Sequence, residues 1–229
     1  FAASGYRVFT CARREPDAPL PEGVAFHCAD LRQPDDVAAA AAACTSALGG
    51  LDLLINNAGG SPMVPAQDAS PRFSEAIVKL NLLAPLYCAT EAHRIMAQQD
   101  GGGTIINIAS VSGQRPSPGT AAYGAAKAGL INLTQTLAVE WAPKVRVNAV
   151  ALGMVHTEQT ADHYGGPEAV SRVAATVPLG RLAEAQDLAH LCLFLDSEAA
   201  SYLTGACIPL HGGGEEPAFL KAVQAVTEP

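Results

Sequence analysis

The sequence is short of aromatic rings, short of charge, and has no apolar run long enough to cross a membrane. Only 5% of its 229 residues are Phe, Trp or Tyr. That scarcity argues against an aromatic-rich β sandwich and for helices packed closely on a sheet through Ala and Gly. Charged residues make up 16%, with a net charge of -8. Nucleic acid and anionic lipid both reward clustered Lys and Arg, so neither is expected as a partner. No stretch approaches the roughly 20 apolar residues of a spanning helix, and the first residues lack the basic-then-apolar pattern of a secretory signal. There is no C-x-x-C pair. The six cysteines (Cys11, Cys28, Cys44, Cys88, Cys192, Cys207) are scattered, with no His at ligand spacing. They read as reduced, buried thiols rather than metal ligands or disulfides, which points to a cytoplasmic address.

What is present is an alternation of short apolar segments and longer helical ones. The pattern predicts strands over 7–11, 24–28, 51–55, 104–108, 145–150 and 206–210. Between them it predicts helices over 34–48, 73–98, 121–141, 167–176 and 184–195, with a break in the second anticipated near Pro85. Phe1-Ala2-Ala3-Ser4-Gly5 reads as the last turn of a helix with its terminating glycine. Strands that are apolar throughout and separated by helices indicate a parallel sheet covered on both sides by right-handed crossovers. The expected fold class is therefore α/β, a doubly wound, mostly parallel, Rossmann-like sheet in one domain over 1–229.

In such a sheet, ligands bind beyond the carboxyl ends of the strands. Asn57-Ala58-Gly59, Ser110 and Gly153 all fall where predicted strands stop. Tyr123 and Lys127 lie four apart on a predicted helix, so they share a face. A phenol is a poor acid or base at neutral pH, but a neighbouring ammonium favours its phenolate. A serine hydroxyl from another strand end could hold a substrate oxygen beside that phenol. The plain alternative is a surface tyrosine with a solvated lysine.

Asn56-Asn57-Ala58-Gly59, then Asn81, Ser110, Tyr123-Gly-Ala-Ala-Lys127 and Asn148-Ala-Val, in this order and spacing, resemble the short-chain dehydrogenase/reductase family. The likeness runs to about Gly213. It implies a hydride-transferring oxidoreductase acting on a carbonyl or alcohol, a 3-oxoacyl thioester being one candidate. It implies that Tyr123 is the acid/base and that Lys127 lowers its pKa and bonds the nicotinamide ribose. Ser110 would polarise the substrate carbonyl, and Asn81 would hold a water in a proton relay. Asn57, Ala58 and Gly59 would pass beneath the adenosine ribose, Asp30 would bond the adenine amino group with Leu31 beside it, and Val155 and Thr157 would contact the nicotinamide amide. NAD-preferring relatives carry an acidic residue where this chain has Ala12, followed by Arg13 and Arg14. Arg13 therefore points to NADP over NAD, because a guanidinium grips a 2′-phosphate. The resemblance further implies a homodimer or homotetramer built through the long helices.

The chain also departs from that pattern. The family's first strand and glycine-rich phosphate loop are expected upstream of Phe1, so the domain reads as truncated at its start. Leu152-Gly153 replaces the usual Pro-Gly, and His211 stands where an acidic residue is usual. The stretch 153–177, with His156, His163 and Tyr164, falls where relatives keep a mobile substrate lid; it offers no metal-ligand spacing. Alternatives in other classes are a non-catalytic binding or scaffold protein that kept the fold, and an epimerase or dehydratase of the same architecture.

Overall fold

The structure, a computed structural model, describes residues 1–158, 160 and 164–215. In chain order its strands are β1 (Phe9–Ala12), β2 (Ala25–Cys28), β3 (Leu53–Asn56), β4 (Gly103–Ser110), β5 (Val145–Leu152) and β6 (Cys207–Leu210). Its α-helices are α1 (Pro34–Leu48), α2 (Pro71–Val78), α3 (Ala84–Met96), α4 (Ala121–Trp141), α5 (Pro167–Ala174) and α6 (Ala185–Asp196). Every strand pairing is parallel, in two groups, β1-β2 and β3-β4-β5-β6.

The centre of the larger group is built by alternation along β4. Ile105 joins Val145 and Val147 against Ala89, Ala92 and Met96 of α3 and Leu137 and Ala138 of α4. Ile106 and Ile108 point the other way, joining Val150 against Cys192 and Leu195 of α6. Successive side chains of a strand face opposite sides, so an all-apolar strand requires cover on both. That is the doubly wound arrangement expected from the pattern. Among the described residues no further strand pairs with β3, and Leu53–Ile55 stay only half-buried although they are apolar.

Local chemistry sets the element ends. Pro34 opens α1, Asp35 and Asp36 sit in its first turn, and Gly49 ends it at φ 80. The predicted 73–98 helix is interrupted, though not at Pro85 itself. A proline ring clashes with the carbonyl four residues back. The chain accommodates this by widening into a π turn at Lys79–Leu83 before α3 begins, with Pro85 in its first turn. The widened turn puts Asn81 fully inside. β4 and β5 each run two residues beyond their predicted ends, so Ser110 is the last residue of its strand. All six cysteines are free. Cys44, Cys88 and Cys192 are buried as expected, but Cys28 is exposed, because β2 ends at the protein surface.

Candidate active site

Ser110, Tyr123 and Lys127 come from the end of β4 and the first two turns of α4. Ser110 has extended backbone, and its hydroxyl accepts the Ser112 N–H at 3.2 Å, fixing the turn that follows. Its proximity to Tyr123 is the one influence that pulls that phenol's pKa down. Burial pushes the phenol up more strongly, so Tyr123 stays protonated above the usual tyrosine range. Lys127 is 3% exposed, and its amine donates to the Ile108 carbonyl at 2.6 Å. Burial without a carboxylate partner brings its pKa down to about 8. The amine sits 5.6 Å from the centre of the Tyr123 ring, over the ring face. Burial outweighs the lowering of Tyr123 expected from Lys127, so the phenol rests protonated.

Asn81 meets the loop leaving β3. Its amide nitrogen donates to Gly60 O at 2.9 Å and Ile77 O at 3.0 Å, and its oxygen accepts the Gly60 N–H at 2.9 Å. A Cβ on Gly59 would lie 2.7 Å from that oxygen and 3.2 Å from the Lys127 amine. Only glycine permits so close an approach. The loop is thus clamped against the lysine, with Asn57, Ala58 and Gly59 exposed along its outer side.

Arg13 and Asp30 leave the sheet side by side, since Ala12 and Cys28 are in register. Arg13 is exposed, and its carbonyl accepts from the Cys28 thiol at 3.2 Å. Asp30 is not free. Arg32 grips its carboxylate with a forked guanidinium, at 2.8, 3.1 and 2.6 Å, and its backbone N–H adds a fourth bond at 3.1 Å. The Arg32 contacts, with a smaller effect from Arg13, hold the Asp30 carboxyl down at about 2. Leu31 forms the half-buried turn between them.

Beyond β5, Gly153 donates to Leu210 O at 2.9 Å, and a Cβ there would lie 2.9 Å from His211 Cα. The glycine is required by this close approach even though the proline expected before it is missing. Val155 bridges to Ala183, while exposed Thr157 binds buried Thr160 through its backbone N–H at 2.6 Å and its hydroxyl at 3.1 Å. His163 lies outside the described residues. Among them, no helix is long and apolar enough to cross a membrane, and no group of three potential metal-ligating side chains occurs.

This geometry has counterparts. The family model described as enoyl-(acyl carrier protein) reductase matches residues 1–215. The chain belongs to the short-chain dehydrogenase/reductase family. It is 37% identical over 189 residues to 4-formylbenzenesulfonate dehydrogenase TsaC1/TsaC2 of Comamonas testosteroni, covering 80% of this chain and 75% of that one. It is 40% identical over 166 residues to 3alpha-hydroxysteroid dehydrogenase of Mediterraneibacter gnavus, covering 72% and 65%. The structure of Thermoplasma acidophilum aldohexose dehydrogenase superposes with a TM-score of 0.86 at 26% identity, over 93% of this chain and 85% of that chain. As a short-chain dehydrogenase/reductase, the protein is a nicotinamide-dependent oxidoreductase acting on a small molecule.

Sequence reasoning missed the polar frame that holds this dehydrogenase/reductase site together. Asn56 donates to Asn107 Oδ1 at 2.8 Å and to Pro85 O at 3.2 Å, and Asn107 donates to Thr134 Oγ1 at 2.9 Å. These buried bonds tie β3, β4, α3 and α4 together behind Ser110, Tyr123 and Lys127. Asn107 within an apolar strand was the available signal, because a buried amide must find partners. Arg32 was missed as well; its position two residues after Asp30 was the hint.

Proposed function

We propose that the chain forms a single dinucleotide-binding domain that moves a proton through Tyr123 while a hydride passes between a nicotinamide cofactor and a carbonyl or alcohol. One observation carries this reading. The Tyr123 phenol lies near Ser110, the Lys127 amine sits over its ring face, and all three are mostly removed from water. When bound, the cofactor supplies or accepts the hydride; the protein handles position and proton.

The residues present suit a dinucleotide. Lys127 is a buried amine that gives one of its three donors to Ile108, which leaves donor capacity suited to a ribose diol. Gly59 keeps the neighbouring backbone close to that amine. Asn57 and Ala58 extend the same exposed loop under the adenosine ribose, while Val155 and Thr157 line the nicotinamide end. Asp30 and Leu31 serve the adenine, and Arg13 takes a 2′-phosphate, so NADP is preferred over NAD.

In the reducing direction, Ser110 hydrogen-bonds the substrate oxygen and Tyr123 releases its phenolic proton to it. The raised pKa of Tyr123 means the phenol begins protonated, as an acid must. The phenolate then left beside Lys127 draws on its charge, which is held only below about pH 8. Asn81 fixes the loop against that amine, and the remaining lone pair on its amide oxygen is the place for a relay water.

The family model's description favours an acyl thioester, and a 3-oxoacyl thioester is the first substrate to assay. We further propose a cytoplasmic enzyme that assembles as a homodimer or homotetramer through α3 and α4, where Val139 is left 82% exposed. The decisive assay follows NADPH oxidation with acetoacetyl thioester and with simple ketones and aldehydes. A fall in turnover of about a thousandfold is expected in Tyr123→Phe; no turnover of any carbonyl by the wild-type enzyme would sink the reading.

A further inference from the structure

One buried side chain sits where the three segments that carry the site meet. The pairing of β3 with β4 ends at Asn56 and Asn107, whereas the pairing of β4 with β5 runs on to Ser110. Asn107 therefore lies where the 57–59 loop leaves the sheet, three residues before Ser110. It is 1% exposed. Its oxygen accepts from the Asn56 amide at 2.8 Å, and its nitrogen donates to the Thr134 hydroxyl at 2.9 Å. Thr134 is fully buried and gives its own proton to Leu130 O at 2.8 Å, so only lone pairs face Asn107. The direction of the bond is thus fixed, with the donor on β4 and the acceptor on α4.

The rest of the buried face of α4 is Ala126, Lys127, Leu130, Leu137 and Ala138. Apolar burial is non-directional, so it holds the helix down without fixing its slide or roll. Two directional bonds reach β4 from this face, Lys127 to Ile108 O and Thr134 to Asn107. Thr134 follows Lys127 by seven residues, almost two turns along one side of the helix. The lysine reaches Ile108 on a flexible four-carbon stem, which adapts to a displaced helix. A β-branched threonine has little freedom at χ1 and does not adapt. The Thr134 contact is therefore the one that locates α4 along β4. Fixing register is also the best attested use of a buried polar group.

Resting on the oxidoreductase reading above, we propose that Asn107 and Thr134 are positioning residues of the reaction. Their bond sets where α4 lies on β4, so that Tyr123 and Lys127 meet a substrate oxygen held at Ser110. Both side chains are sealed inside the fold and act through Tyr123 and Lys127. The tie from Asn107 to Asn56 carries the same register into the loop that bears Asn57, Ala58 and Gly59.

The test exchanges the hydroxyl within a side chain of nearly the same shape. Thr134→Val removes the acceptor and Thr134→Ser keeps it. Leu137→Ala, about one turn farther from the site, disturbs the same buried face without touching the bond. Each is assayed with NADPH and the carbonyl that the wild-type enzyme reduces fastest. In Thr134→Val, kcat should fall about ten- to a hundredfold, with KM for both reactants within about twofold of wild type. Thr134→Ser should return kcat to within a few-fold. Leu137→Ala should lower the urea midpoint at least as far as Thr134→Val yet keep the wild-type kcat. Should Thr134→Val not fold, Thr134→Ala, which leaves room for a water to take the Asn107 N–H, is read in its place. Crystal structures read the helix without turnover. An α4 displaced along β4 in Thr134→Val and back in place in Thr134→Ser supports the inference even if no carbonyl is reduced, in which case only the oxidoreductase reading falls. Wild-type kcat in Thr134→Val, an equal loss in Leu137→Ala, no recovery in Thr134→Ser, or an unmoved α4 overturns the inference and leaves that reading standing.

Discussion

β4 is buried at seven of its eight positions and β5 at six of eight, whereas no residue of β1 or β2 is fully buried. In the reaction proposed above, the two regions would serve different halves. β4 presents Ser110, anchors the Lys127 amine through Ile108, and is bonded through Asn107 to Asn56 and Thr134. β1 and β2 present Arg13 and Asp30 through charge at the rim. Proton transfer depends on heavy-atom distances held within tenths of an ångström, and close packing supplies that. Charge recognition acts over several ångströms and tolerates looser support. Burial therefore follows the precision each half requires.

The sharpest break in that comparison is Tyr123→Phe. It removes one oxygen from the packed half, and turnover should fall about a thousandfold while the urea midpoint barely moves. Next comes a pair of truncations. Leu130 is 0% exposed on the inner face of α4, so Leu130→Ala should cost about 3–4 kcal/mol. Phe9 on β1 is half-buried and stacked at 6.5 Å on His27; Phe9→Ala should cost about 1–2 kcal/mol. Equal losses in urea unfolding would mean that β1 is as much a part of the core as β4.

How much of this was legible beforehand follows the same divide. The strands around β4 were readable because continuous apolar residues have one common explanation, burial on both faces. The helices predicted over 34–48 and 121–141 keep those bounds to the residue. Ser110, Tyr123 and Lys127 could be grouped from spacing and resemblance. Their electrostatics could not: a sequence shows that Lys127 is near Tyr123 but not that Ile108 O holds its amine, nor that burial outweighs its charge. The π turn was also hidden, since Pro85 announces a defect in the helix and not on which side the backbone absorbs it. Ion pairs such as Arg115 with Glu215 join residues a hundred positions apart, and local pattern carries no trace of them.

Lys127 offers a finer probe of the packed half, through pH. Its folded pKa of about 8 lies below the ordinary lysine value of 10.5. Between those values the unfolded chain binds the proton and the folded chain does not, so the lysine's contribution to stability rises with pH across that window. Falling pH removes it as the amine is forced to charge inside the fold. A tenfold difference in proton affinity between the folded and unfolded chains is worth about 1.4 kcal/mol, so the swing is at most about 3 kcal/mol. Unfolding free energies of wild type and Lys127→Met at pH 7 and pH 10.5 should differ by a smaller gap at the higher pH, with Met favoured at the lower. The same gap at both would place the amine in contact with solvent.

The smallest effect tests the rim. Arg13 is exposed and touches Asp30 only through its field, so Arg13→Ala should leave the urea midpoint unchanged. If it meets a 2′-phosphate, the variant should bind NADPH about tenfold more weakly and NADH as before, read by quenching of protein fluorescence. The discrimination should also shrink in the wild type as salt is raised, because an exposed pair is screened. Asp30 sharpens the expectation: its carboxylate stays ionised down to about pH 2 under the grip of Arg32, so a phosphate brought near it without Arg13 meets an ion pair with no net positive charge to offer. Equal loss of NADPH and NADH would instead make Arg13 a general support for the β1–β2 edge, and the coenzyme preference would have to be sought in Arg14 or Arg32.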